Sequence, residues 1–202
     1  MNNQTEAGTA SIVDQERGIN IDLQGSTISF QFGDSTVSGG ISSDNLFHHY
    51  TFTYDSAAGV ISIFEDDRVV QTDSAPQNLQ YNFDANMVFG GNTFIGNLHD
   101  VRLWSKALNF TDAYANIYTK YVGNELDLVG YWPMNEGHGN LAHDIARFKH
   151  AQVNAAWDIK PKGEAYEFAG GQYLTLDNVA AVQLTNEMNA TLSFWVKTDQ
   201  TQ

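Results

Sequence analysis

The stretch Ile19-Asn20-Ile21-Asp22-Leu23-Gln24-Gly25-Ser26-Thr27-Ile28-Ser29-Phe30-Gln31-Phe32 decides the fold class. Apolar residues take every second position on both sides of Gln24-Gly25-Ser26, so each half presents one apolar strand face and the glycine-centred segment turns between them. Outward from this hairpin the same period returns at 50–54 and, after a turn from Asp55 to Gly59, at 60–64. Further short apolar runs follow at 87–89, 94–95, 98–104, 129–132, 165–168, 173–176 and 192–196, parted by Gly, Asn and Asp. Short strands at roughly 8 to 12 residue spacing predict an antiparallel sandwich. Its inward set is expected to include Phe52, Ile63, Val101, Leu103, Phe168, Leu174 and Phe194, while Glu65-Asp66-Asp67 is expected to form a turn with its side chains in solvent.

One segment breaks the period. Tyr114, Ile117, Tyr118 and Tyr121 are spaced i, i+3, i+4, i+7, which predicts a short amphipathic helix capped by Asn109 or Thr111, its aromatic stripe packed on the sandwich.

Composition narrows the function classes. Ten Lys and Arg against 24 Asp and Glu give a formal charge of -14, which repels a phosphate backbone and disfavours nucleic acid and anionic membranes as partners. A membrane-crossing helix needs about 20 consecutive apolar residues, and the sequence has no such run. Met1 to Ala10 has neither the basic nor the apolar segment of a signal peptide, so an export signal is expected to lie outside this sequence. The absence of Cys removes disulfides and thiolate-held zinc.

Two stretches carry a family resemblance. Gly96-Asn97-Leu98-His99-Asp100-Val101-Arg102-Leu103-Trp104-Ser105-Lys106-Ala107-Leu108 resembles the closing strand of a laminin G-like domain of the concanavalin A-like superfamily, with His99 in place of an acid. Phe47-His48-His49-Tyr50-Thr51-Phe52-Thr53-Tyr54-Asp55 resembles an earlier strand of the same family, with Phe47 in place of Trp. Gly130-Tyr131-Trp132-Pro133-Met134-Asn135-Glu136-Gly137, together with Glu167-Phe168-Ala169-Gly170-Gly171-Gln172-Tyr173-Leu174 and Ser193-Phe194-Trp195-Val196-Lys197, is similar to the opening half. The resemblance implies an all-β, concanavalin A-like antiparallel jelly-roll sandwich with one short helix.

The motif order is permuted. Residues 1–126 resemble the C-terminal part of one repeat and 127–202 the N-terminal part of the next, as if the chain were cut within a tandem array. One permuted sandwich over 1–202 is expected, with the closing strand at 98–104 beside the opening strand at 129–132. Exchange of 128–202 between neighbouring copies is the competing outcome.

The resemblance implies a non-catalytic module of a large bacterial surface or secreted protein, extracellular or at the cell surface. Its expected partners are a glycan, a host or surface protein and neighbouring copies of the repeat, with an inert or filament-forming spacer as the alternative. A glycoside hydrolase needs paired carboxylates on a cleft; the paired-acid string usual in such enzymes is missing, so no catalytic residues are assigned. A structural calcium is the implied cofactor, held by Asp100, by Asn135 or Glu136 and by the Gly171 carbonyl; the other reading is that these acids hydrogen-bond turn amides. Trp157, Tyr81 and Phe83 are candidate sugar-stacking aromatics, or plugs for the ends of the sandwich. His48, His49, His138 and His143 fit no common zinc spacing and are expected to be structural. Asp34-Ser35-Thr36, Asp55-Ser56-Ala57 and Asp73-Ser74-Ala75 resemble O-glycosylation acceptors of one group of Gram-negative bacteria, and Asn3-Gln4-Thr5, Asn109-Phe110-Thr111 and Asn189-Ala190-Thr191 match the N-glycosylation acceptor.

Overall fold

A computed structural model describes residues 8–77, 79, 81, 85–91, 93–160, 163–177 and 189–198. The strands are β1 (Thr9–Gln15), β2 (Ile19–Gln24), β3 (Thr27–Phe32), β4 (Ser35–Gly40), β5 (His48–Asp55), β6 (Val60–Glu65), β7 (Arg68–Ser74), β8 (Met87–Gly91) and β9 (Ile95–Trp104). After the helix α1 (Phe110–Asn116) come β10 (Leu128–Trp132), β11 (Leu141–Ala142), β12 (Ala151–Val153), β13 (Ala156–Lys160), β14 (Gly163–Ala169), β15 (Gln172–Leu176) and β16 (Ala190–Thr198).

They form two antiparallel sheets in a jelly-roll-like sandwich. The first runs β11-β12-β15-β8-β1-β2-β3-β4 and the second β13-β14-β9-β16-β5-β6-β7, with β10 paired to β9. Both sheets draw on strands from either side of residue 127. β16 lies between β5 and β9, with Phe194 opposite Tyr50 and Leu192 opposite Leu103. The expected adjacency of closing and opening strands is observed, Trp132 pairing with Val101 and Tyr131 with Arg102.

All seven predicted inward residues are buried in one apolar core between the sheets. Removing those side chains from water is the main stabilising contribution, about 1.5–3 kcal/mol for each large one. Gly90 shows how tightly the layers meet: its φ is +77°, and a Cβ there would fall 2.4 Å from the Phe168 ring.

The helix begins as expected. Asn109 is the N-cap, its side chain accepting from the Asp112 N–H at 3.0 Å. The expected aromatic stripe needs correction. α1 ends at Asn116; of the stripe, Ile117 is buried and the half-buried Tyr121 packs on a second apolar layer on the outer face of the second sheet, which includes Phe64, Trp104, Leu108, Leu128 and Tyr131. Tyr114 and Tyr118 are 54% and 83% exposed. Buried Arg102 donates to the carbonyls of Asn116 and Thr119 where the helical path ends, and Tyr118, though exposed, packs on Trp195 of β16 with ring centroids 5.7 Å apart.

The Glu65-Asp66-Asp67 expectation is also corrected. Glu65 continues the inward register of Ile61 and Ile63 and is 1% exposed. Its carboxylate accepts from Tyr50 Oη at 2.7 Å and the Ser42 N–H at 2.9 Å and pairs with Arg68. Asp66, at φ +47°, accepts from the His49 N–H, and only Asp67 stands in solvent.

Candidate functional site

The outward positions of the first sheet are polar. Ser11 and Asp14 on β1, Asn20 and Asp22 on β2 and Gln31 on β3 alternate with core residues, and Val88, Gly90 and Gly91 on β8 with Tyr173 on β15 complete the opposite side. Together with Thr93 they line a groove of about 340 Å³. A bulge in β1 positions the acids: between Ser11 and Val13 the register slips by one, so Ile12 and Val13 both face the core and Asp14 returns outward beside Asn20. Asp22 lies opposite Ser11.

Lining groups are partly committed to one another. The Asn20 amide oxygen accepts from the Gln15 N–H at 3.1 Å, and Gln31 Nε2 donates to Gly33 O at 2.9 Å. An amide donor of Asn20 and an acceptor of Gln31 remain for a ligand. Burial raises the Asp22 carboxyl, with the charge of Asp14 adding to it against a hydrogen bond from Ser11. Asp14 is raised by burial and then by Glu16. Polar, hydrogen-bonding walls with one aromatic ring at the rim, Tyr173 at 44% exposure, suit a hydroxyl-rich ligand with apolar ring faces.

The family model described as the concanavalin A-like lectin/glucanases superfamily matches residues 1–112, more than half of the chain. The chain belongs to that superfamily. The matched segment contributes β1, β2, β3 and β8, four of the five strands that line the groove, while Tyr173 comes from outside it. No curated protein matches the chain.

The residues expected to hold calcium do not converge on one point. The Asp100 N–H donates to Pro133 O at 3.2 Å, which brings β9 to the strand entering the Asn135-Glu136 turn as expected. Both Asp100 oxygens, however, accept from Arg102, at 3.0 and 2.6 Å. Asn135 is exposed, and Glu136 accepts from the His143 N–H at 2.7 Å while its second oxygen is buried without a partner. Gly171 lies past the pairing of Ala169 with Ile95, its N–H donating to Gly91 O, so it sits at the far end of β9 from Asp100. Among the described residues no group of three or more His, Cys, Asp or Glu is arranged to hold a metal ion.

The candidate aromatics divide. Tyr81 stacks on Phe32 at 5.0 Å and its hydroxyl bonds Gln15, which plugs the sandwich end. Trp157 lies on β13, and Phe83 falls outside the described residues. The histidines take structural places: His48 Nδ1 and Nε2 lie 2.6 Å from Asp66 and 2.9 Å from Asp44, and buried His49 is held neutral, its pKa lowered to about 3 by burial. His99 stacks on Trp195 with an interplanar angle of 2°. Of the glycosylation-like positions, Asn109 is the helix cap and Asn189 accepts from Ser56, while Ser74 is exposed at the end of β7.

Sequence reading missed the groove. Its polar residues are the outward half of the same alternation that revealed the strands, and that half reads as ordinary solvent face until β8 and β15 are known to lie beside β1.

Proposed function

We propose that this chain is a non-catalytic glycan-binding module serving adhesion, and that the groove across β1, β2, β3, β8 and β15 holds the sugar. The observation that carries the reading is the lining itself: carboxylate, amide and hydroxyl groups on β1, β2 and β3 with Tyr173 at the rim. Such groups accept and donate to ring hydroxyls, while an aromatic face covers the apolar face of a pyranose. The permuted order of the family motifs supports a place within a tandem array of a bacterial surface or secreted protein, extracellular or at the cell surface, with copies of the repeat as neighbours. Calcium stays outside this reading, because Asp100 is committed to Arg102.

A glycan array probed with the wild-type chain and with Tyr173→Ala and Asn20→Ala tests it. Reproducible binding to one glycan class that falls at least about tenfold in either variant is expected, the equivalent of one lost stacking or hydrogen-bonding contact. Silence across the array supports an inert spacer instead.

A second reading is favoured by one observation: Asp14 and Asp22 face the same groove from adjacent strands, both with raised carboxyls. A glycoside hydrolase uses such a pair as acid and base or nucleophile. Release of reducing ends from the array-selected polysaccharide, lost in Asp22→Asn, would establish hydrolysis.

A further inference from the structure

We propose that the groove selects a glycan bearing free amino groups, an unacetylated hexosamine chain whose ammonium groups lie against Asp14 and Asp22. This rests on the glycan-binding reading above and names the sugar class. Among the described residues lining the groove there are two carboxylates and no Lys, Arg or His. Elsewhere on the chain Glu65 pairs with Arg68 and Asp100 with Arg102, while Asp144 accepts from the N–H groups of Tyr131, Ala146, Arg147 and Lys149. Among the described residues neither the exposed Asp14 nor the half-buried Asp22 is paired with a cation; Ser11 bonds Asp22, and the charges acting on the two acids, Glu16 on Asp14 and Asp14 on Asp22, are negative.

A neutral sugar can bond these acids only through hydroxyls. An ammonium group adds charge-assisted hydrogen bonds and relieves the repulsion between the two carboxylates, an interaction strengthened by the partial exclusion of water. The same field, within a chain of net charge -14, repels uronate, sulfate and sialate groups. Tyr173, across the groove from the acids, covers a ring face without adding charge. N-acetylation of the ligand removes the charge and adds bulk, so it counts against binding.

Isothermal titration at about 0.15 M salt, where the Debye length is ~8 Å, separates local from long-range attraction. The probes are a glucosamine hexamer, its N-acetylated counterpart, an oligogalacturonate and a lysine hexapeptide. The glucosamine hexamer is expected to bind at least about tenfold more tightly than each of the others, the weight of one charge-assisted contact. Asp14→Asn combined with Asp22→Asn removes that preference, whereas Asp67→Asn with Asp112→Asn, which deletes equal charge at exposed positions, keeps it; each variant is first checked by its melting temperature. Equal or tighter binding of the N-acetylated or galacturonate chain overturns the amino-sugar assignment and leaves the glycan reading standing. Equal binding of the lysine peptide, or equal loss in the exposed-site control, overturns it as unspecific charge attraction. If no saccharide binds, the glycan reading falls with it.

Discussion

Replacing Arg102 with Met removes the cation on which the outer layer of the second sheet converges. The side chain is 1% exposed, and it donates to both oxygens of Asp100 at 3.0 and 2.6 Å, to Thr119 O at 3.1 Å and to Asn116 O. Its guanidinium lies 5.0 Å from the Tyr121 ring centre and 5.6 Å from that of Tyr131. Met retains most of the apolar stem, so the loss is that of the charged fork. Removing one partner of a buried ion pair costs about 3–5 kcal/mol. The Asp100 side chain is 18% exposed. Water therefore recovers part of its solvation, which places the loss near the lower end, about 3 kcal/mol. For a chain of this size each kcal/mol moves the melting temperature by about 2–4 °C, so a fall of roughly 6–12 °C is expected. Thermal unfolding followed by far- and near-ultraviolet circular dichroism measures it, with Arg102→Lys, which keeps charge without the fork, falling in between. A loss below about 1 kcal/mol in Arg102→Met, the range of an ordinary surface change, refutes the assignment of Arg102 as the anchor of α1 and the loop after it.

Three further outcomes are expected. Burial lowers the His48 pKa, but its hydrogen bonds to the Asp44 and Asp66 carboxylates outweigh that and leave the ring above its ordinary value. Its stabilisation is therefore full below the unfolded value of about 6.5 and lost as pH rises through the folded one, so His48→Gln should cost more stability to urea at about pH 5.5 than at about pH 9; equal costs contradict this. Calcium in place of chelator should leave the melting temperature unchanged, whereas a rise that vanishes in Asp100→Ala would establish a calcium site. Because the segment after Trp104 is long enough for a local return, the chain is expected to close on itself as one permuted sandwich: light scattering over a dilution series should give a constant mass near 22.4 kDa, and growing polymers indicate exchange of 128–202.

What the sequence disclosed followed burial. β2, β3, β5 and β6 place their apolar side chains at a clean period of two on the core side, and the predicted core residues are all inside. β4 and β7 end the two sheets, and edge strands bury few side chains, so their sequences show little alternation. β1 was hidden by its bulge, which sets Ile12 and Val13 both inward and breaks the period at the point that aims Asp14. Glu65 looked like a turn acid because its partners, Tyr50, Ser42 and Arg68, come from three separate places in the chain. The groove was illegible for a related reason: its walls are far apart in sequence, and Tyr173 meets β8 only through the pairing of Leu174 with Phe89 and its neighbours.

Chemical-shift mapping tests the central claim most directly. Titrating the isotopically labelled chain with the array-selected oligosaccharide should perturb amides of β1, β2, β3, β8 and β15 around Ser11, Asp22, Gln31, Gly90 and Tyr173. Perturbations confined instead to the aromatic surface of exposed Tyr114 and Tyr118 with half-buried Trp195, on the opposite side of the sandwich, would contradict the groove as the binding site.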